Sequence, residues 1–355
     1  MRPERDPDEL ISFSTSGSTG TPVHWLRTPR QLRAEVTLVS EVAFGAVDRV
    51  VCFAPPVHLF GRLFGRELPA WQGIPVVDAW REPTTPPVVE PGLRTLFVCL
   101  PASWPLLRSV AARIAELPGA VALHGTGLLP PAAIGVVNAL AEADFRAAEI
   151  FGSTETGGIA VRDLLPTTAP APSASGRAGQ AGVPPQPWTL LPDVDLLAPT
   201  GAEEGLLRIS SPRLARRADL AEVPASWESA DLVRRVDDRH FQFLGRSTRM
   251  VKVNGIRCDL DLVERAVAAR FPELDVVAVP VTDDTRGEHY ELYCATKGHP
   301  ALDVAAVAAA VADRGGLPVP RRVHLVGALP RTATGKVRLA ELTGEPATGR
   351  PGRSD

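Results

Sequence analysis

The chain has 355 residues, 45% of them hydrophobic, enough for two domains, or one large and one small, around packed cores. Its formal net charge is −3 and no basic tract exceeds three residues, so nothing points to nucleic acid or to an anionic membrane. No apolar run approaches a membrane span, and the charged start of the chain, 1–10, is unlike a signal peptide, so a cytoplasmic protein is expected.

The first informative stretch, Ser12 to Pro22, reads S-F-S-T-S-G-S-T-G-T-P. Small residues let a backbone pass close to an anion, glycines supply positive φ, and successive N–H and O–H groups can converge on phosphate oxygens. A flexible Ser/Gly linker is the other reading of such a stretch. A Walker loop is excluded, because its lysine is absent.

Helical spacing of Leu32, Val36, Val39 and Ala43 predicts an amphipathic helix over 29–46. Short buried strands are expected at 50–54, 74–77, 95–100 and 121–123, with helices at 102–117 and 130–140 between and after them. Strand and helix in alternation argue for a layered α/β core. Arg162 to Pro187 is rich in Pro, Ala, Ser and Gly and reads as a surface loop. Strands of an antiparallel sheet follow at 189–197 and 205–210. From 241 onward come a strand, a helix (259–270), two strands (275–281, 289–296), an Ala-rich helix (302–314) and a last strand (322–326). They make a small α+β module. The expected division is a core over 1–245 with a flexible loop at 161–187, a mobile module over 246–342, and a disordered tail over 343–355. Cys52, Cys99, Cys258 and Cys294 form no C-x-x-C pair, so neither a zinc site nor a disulfide framework is indicated.

Phe151-Gly152-Ser153-Thr154-Glu155 follows a predicted strand. Hydroxyls and one carboxylate at a strand end suit a nucleotide-bound magnesium, which takes one or two carboxylates plus phosphates and water. An ordinary turn with a solvated glutamate fits the same residues. Ser229-Ala230-Asp231-Leu232, Phe243-Leu244-Gly245-Arg246, Val251 to Arg257 and Leu329-Pro330-Arg331-Thr332-Ala333-Thr334-Gly335-Lys336 complete the set.

In this order the segments resemble the signatures of the adenylate-forming superfamily, which includes acyl-CoA synthetases, peptide-synthetase adenylation domains and luciferases. By that resemblance Thr15, Ser16, Gly17, Ser18, Thr19 and Gly20 form the phosphate loop. Phe151 and Gly152, against Gly125-Thr126-Gly127, take the adenine; Thr154 touches phosphate and Glu155 ligates Mg²⁺. Asp231 accepts both ribose hydroxyls, which suits an acceptor-only carboxylate. Arg246 and Lys336 face the ribose and the α-phosphate. His58, in P-x-x-H-x-x-G, is placed at the acid pocket; the other histidines show no metal spacing.

Three departures are visible. Only about a dozen residues precede the loop, where the family carries a substantial region, so a short form is expected in which part of the pocket wall is either missing or supplied by a second copy or a partner. Val23-His24 replaces the lysine after the loop's proline, and Thr248 stands where the hinge aspartate or lysine is expected. The resemblance implies ATP- and Mg²⁺-dependent activation of a small carboxylic acid, aryl or unsaturated, as acyl-AMP. Transfer to coenzyme A or to the phosphopantetheine of an acyl carrier protein then follows. A homodimer, a non-catalytic scaffold homologue and a ligase with a non-thiol acceptor stay open.

Overall fold

The computed structural model describes residues 9–16, 22–127, 129–166, 186–201, 203–253, 256–283, 287–295, 302–313, 317–332 and 337–343. The chain opens with β1 (Ile11–Ser16) and β2 (Pro22–Arg27), an antiparallel pair in register from Ile11 opposite Arg27 to Ser16 opposite Pro22. A long mixed sheet then begins with β3 (Arg49–Cys52), β4 (Val76–Val77), β5 (Thr95–Cys99), β6 (Ala120–His124) and β7 (Phe145–Ser153).

These five run parallel in the order β4-β3-β5-β6-β7. Every residue of β3, β5 and β6 is buried, as a parallel sheet covered on both faces requires. On one face Leu32, Val36 and Val39 of the helix Pro29–Val39 share a core with Val50, Leu96, Val98, Val121 and Leu123. On the other, the helices Trp104–Ser109 and Pro131–Ala139 bury Trp104, Leu107, Val136 and Val137 against Val51, Phe97, Cys99 and Ala122.

The sheet continues antiparallel through β8 (Gly157–Asp163), β9 (Trp188–Leu190), β10 (Asp195–Ala198) and β11 (Glu204–Ser210). The pair β12 (Arg216–Arg217) joins β2, and β13 (Trp227–Arg235) and β14 (His240–Arg246) complete the long sheet. Its eleven strands run β10-β11-β13-β14-β9-β8-β7-β6-β5-β3-β4. The antiparallel part is thus continuous with the parallel part. Beyond it lie the hairpin β15 (Met250–Val253) and β16 (Ile256–Asp259), then β17 (Asp275–Asp283), β18 (Gly287–Ala295) and β19 (Val323–Val326). Val251, Leu260, Val263, Tyr290, Leu292, Val307 and Val311 form a separate core there.

The layered α/β reading is borne out, with local corrections. The first helix runs as α only to Val39, and a π turn, Ser40–Phe44, finishes it. The helix expected at 102–117 is a 3₁₀ turn and two short helices, broken where Val110 leaves helical geometry at φ −117°. The strand expected at 189–197 is two strands, since the turn at Leu191–Val194 carries Pro192. Ser12 to Ser16 is strand rather than loop. The four cysteines are buried as free thiols, and burial pushes Cys52 and Cys99 up to about 12, so neither acts as a nucleophile at neutral pH. The loop at 167–185 and the tail after Thr343 lie outside the described residues. Among the described residues no helix is long and apolar enough to cross a membrane.

Candidate functional site

Ligands of open α/β sheets settle where loops leave the carboxyl ends of the strands. Here those ends carry the predicted residues. β3 leads to His58, β5 to Pro101, β6 to Gly125-Thr126-Gly127 and β7 to Thr154-Glu155. Contacts tie the loops together. A Cβ on Gly125 would lie 2.9 Å from the Phe60 ring, and one on Gly127 would lie 2.9 Å from Pro101 Cγ. A Cβ on Gly61 would overlap the carbonyl oxygens of Ala54 and Pro55, so the glycine of P-x-x-H-x-x-G lets that loop lie on the helix backbone.

His124, which the sequence reading left without a role, holds the G-T-G turn. It is fully buried, its Nδ1 lies 3.1 Å from Trp104 Nε1 and its Nε2 lies 3.1 Å from the Gly127 carbonyl. An indole N–H only donates, so Nδ1 is the acceptor and Nε2–H donates to Gly127. Thr126, exposed at the tip of that turn, adopts a left-handed φ of +70°. His58 is half-buried ahead of the helix Leu59–Arg62, and burial holds its pKa below the ordinary value of 6.5.

The F-G-S-T-E segment is not all turn: β7 runs on through Ser153. Phe151 packs among Trp188, Phe241 and Phe243, with ring centroids 5.2–5.7 Å away. Gly152 faces the Gly157 carbonyl too closely for any Cβ. Ser153 N–H donates to Thr156 Oγ1 at 3.1 Å, which closes a tight hairpin around Thr154 and Glu155.

Below that hairpin sits a buried charge network with no sequence signature. Arg27, Glu35 and Arg213 are each at most 1% exposed. Arg27 Nη2 donates to the Thr154 carbonyl at 3.0 Å and its Nη1 to the Arg213 carbonyl at 2.5 Å. Glu35 Oε1 accepts from Gly158 N–H at 2.7 Å, and Arg213 Nη2 donates to the Gly158 carbonyl at 2.8 Å. Arg213 Nη1 and Arg27 Nη1 stand 3.3 Å and 3.7 Å from Glu35 Oε2 as ion pairs. Asp193 takes Arg213 in a bidentate bridge of 2.7 and 2.8 Å. Burial works against both guanidinium charges. For Arg213 the bridge to Asp193 and the nearby Glu35 more than offset it, whereas Arg27 is left below its ordinary value.

Two further predicted residues meet directly. Arg246 Nε donates to Asp231 Oδ1 at 2.8 Å, across the β13–β14 pairing that sets them opposite one another. Asp231 lies inside a strand and is 7% exposed. Thr15 Oγ1 accepts from Trp25 Nε1 at 3.1 Å, and Trp25 packs edge-on against Trp227 of β13, which anchors the β1–β2 hairpin. Gly17, Ser18, Thr19, Gly20 and Lys336 lie outside the described residues, as do the side chains of Ser16 and Thr248. On either side of Lys336, Arg331 bridges to Asp275 and Arg338 N–H donates to the Pro330 carbonyl at 2.8 Å.

No described cluster of three His, Cys, Asp or Glu could cage a metal. A lone carboxylate such as Glu155 nevertheless fits magnesium, which binds through one or two carboxylates together with substrate phosphates. The two buried arginines below it are paired with Glu35 and Asp193.

No family model matches the chain. It is 32% identical over 236 residues to a 4-coumarate–CoA ligase of Halorhodospira halophila, covering 61% of this chain and 58% of that protein. An acetyl-coenzyme A synthetase of Deinococcus radiodurans is 24% identical across 98% of this chain and 56% of its own length. The chain therefore spans a little over half the length of these relatives. Among solved structures, the anthranilate CoA ligase AuaEII in complex with anthranoyl-AMP shares the fold, with a TM-score of 0.70 and 18% identity over 95% of this chain and 67% of that one. In sequence the chain is similar to these ligases and synthetases over part of their length, and it shares the fold of the anthranilate CoA ligase.

Proposed function

We propose that the protein activates a carboxylic acid with ATP as an acyl-adenylate and then hands the acyl group to a thiol, that of coenzyme A or of a carrier protein. The convergence of the β3, β5, β6 and β7 loops at one edge of the sheet carries this reading, because it gathers the predicted acid, adenine and magnesium residues from positions a hundred residues apart. The relatives described above are named a 4-coumarate–CoA ligase and an acetyl-coenzyme A synthetase, and a third, in Pseudomonas fluorescens, an L-proline–[L-prolyl-carrier protein] ligase.

In this reading Gly125-Thr126-Gly127 and Phe151-Gly152 bound the adenine, Asp231 accepts from the ribose hydroxyls, and Thr15 to Gly20 with Thr154 hold phosphate oxygens. Glu155 would hold Mg²⁺, which supplies charge neutralisation at the β- and γ-phosphates. Arg246 and Lys336 neutralise charge that builds at the α-phosphate as the carboxylate attacks and pyrophosphate leaves. No covalent enzyme intermediate is needed, so the chain contributes position and electrostatics. His58, Phe60, Phe151 and the G-T-G turn would shape a short pocket, which suits a small aryl or unsaturated acid. The region 246–342 acts as a lid that moves between the two half-reactions, in a cytoplasmic enzyme.

Pyrophosphate exchange across a panel of acids tests the reading; absence of exchange with every acid counts against it. Lys336→Ala should abolish adenylation while thiol acylation from supplied acyl-adenylate survives, and equal loss of both contradicts the role given to Lys336. A second reading, a non-catalytic homologue serving as a scaffold, is favoured by Val23-His24 in place of the loop lysine. Calorimetry with Mg·ATP separates the two, since a scaffold need not take it up.

A further inference from the structure

The buried network of Arg27, Glu35, Arg213 and Asp193 lies outside the segments that carry the family resemblance, and its links to the Thr154–Gly158 hairpin are long-range. Helix Pro29–Val39 contributes Glu35, β2 contributes Arg27, and Arg213 comes from the turn after β11. Each makes at least one hydrogen bond with the hairpin's main chain. Arg27 takes the Thr154 carbonyl, Glu35 the Gly158 amide and Arg213 the Gly158 carbonyl. The backbone N–H of Ala215, two residues beyond Arg213, takes the Glu155 carbonyl at 2.8 Å. Gly157, at φ +72°, leaves room for Glu35 Oε2 where any side chain would collide with it.

A fold seeking stability alone has no need of such a group. Desolvating paired charges recovers little free energy relative to well-packed apolar residues. What a network of this kind does supply is orientation. Its bidentate and main-chain bonds fix the peptide planes on both sides of Glu155, and its charges cancel among themselves. None of the network's hydrogen bonds ends on the Glu155 carboxylate.

We propose that Glu35 and Arg213, with Arg27, are positioning residues that hold the Thr154–Glu155 turn so that Glu155 presents its carboxylate to a divalent cation carried by ATP. The proposal rests on the adenylating reading. It adds residues that touch neither nucleotide nor acid and act only through the turn.

Binding of Mg·ATP and of metal-free AMP to the full chain, measured by calorimetry over a Mg²⁺ series, tests it. AMP lacks the β- and γ-phosphates and serves as the internal control. Glu35→Gln keeps the shape and the bond to Gly158 N–H but removes the charge. It should raise the Mg²⁺ concentration for half-maximal ATP uptake roughly tenfold or more, the range usual for lost outer-shell support, and leave AMP affinity unchanged. Asp193→Asn, at the partly exposed end of the network, reaches the turn only through Arg213. It should give a smaller shift of the same sign, and it serves if Glu35→Gln does not fold. Amide exchange in apo protein should quicken across Ser153–Gly158 in both variants. An unaltered Mg²⁺ dependence in folded variants, or an equal loss of AMP and Mg·ATP affinity, overturns the proposal while the adenylating reading stands. A wild-type chain that takes up neither nucleotide sinks both.

Discussion

The turn around Glu155 and the junction at Arg246 are both held by ion pairs, yet the pairs differ in kind. Under the turn, Arg27, Glu35 and Arg213 are at most 1% exposed, and their side-chain hydrogen bonds end on main chain or on the Asp193 carboxylate. At the junction, Asp231 meets an Arg246 side chain that is 52% exposed, through one bond. Removing one member of the network strands the others without water, whereas at the junction the half-exposed Arg246 can trade its partner for solvent and only Asp231 stays buried. One site is built to stay in place and the other to let go. Three residues on, Arg249 is again tightly held, bridging Asp261 and Glu264 and donating to the Ala278 carbonyl, so the looseness is confined to the step between the two cores.

The contrast breaks most sharply at Gly152. A Cβ there would overlap the Gly157 carbonyl, and backbone on both sides of the hairpin leaves nothing flexible to move aside. Gly152→Ala is expected to destabilise the protein by about 3 kcal/mol or more, read as a lower denaturant midpoint, with Mg·ATP binding lost in what remains folded. A variant with wild-type stability would mean that the hairpin yields, and the rigid half of the comparison would fail.

Trp104→Phe comes next. It removes the N–H that Trp104 gives to His124 Nδ1, in a pocket closed to water. Losing one partner of a buried hydrogen bond costs about 1–3 kcal/mol. The G-T-G turn should loosen with it, so AMP affinity should fall several-fold while the Mg²⁺ requirement keeps its wild-type value. That pattern is the reverse of the one expected for Glu35→Gln.

How much of this was legible beforehand follows from where the information lay. Parallel strands such as Thr95–Cys99 announce themselves, because burial on both faces leaves an unbroken apolar run. The motif segments were legible because residue order alone carries them. The charge network was not. Glu35 falls between Leu32 and Val36 on a helix and reads as one more solvated glutamate, and its partners Arg27, Arg213 and Asp193 are scattered along the chain. Their burial is decided by sheet register, which pairs residues far apart and leaves no local trace. The same holds for Asp231, whose strand neighbours seal it, and for His124, whose role depends on Trp104 across the sheet layer. The break at Val110 was hidden by an apolar periodicity that runs through it.

Arg246→Ala probes the yielding side. The guanidinium is half exposed but its loss leaves the buried Asp231 carboxylate without that bond, so stability should fall by about 1–2 kcal/mol, less than for Gly152→Ala. Adenylation, by contrast, should slow by roughly a hundredfold if the guanidinium meets charge building at the α-phosphate. Denaturant unfolding and pyrophosphate exchange on the same preparation read the two numbers together. A large stability loss would place Arg246 in the rigid class and remove the distinction between the two regions.

The smallest expected effect sharpens the border between them. His58 is half-buried, and burial holds its pKa below 6.5. Its imidazole is therefore neutral at pH 7. Between the lowered native value and 6.5 the unfolded chain takes a proton more readily than the folded one, so stability rises with pH through that window and is flat with respect to this group above it. His58→Gln removes the titration. Its melting temperature should fall less than that of the wild type between pH 7 and pH 5, by no more than about 2 °C for a site this open to solvent. The KM for the acid should lose its acid limb as well, because a cationic imidazole at the pocket mouth would hold the carboxylate in its ground state and resist its transfer to phosphorus. Identical pH profiles for variant and wild type, in both melting and KM, would detach His58 from the acid pocket and assign it to the surface of the core.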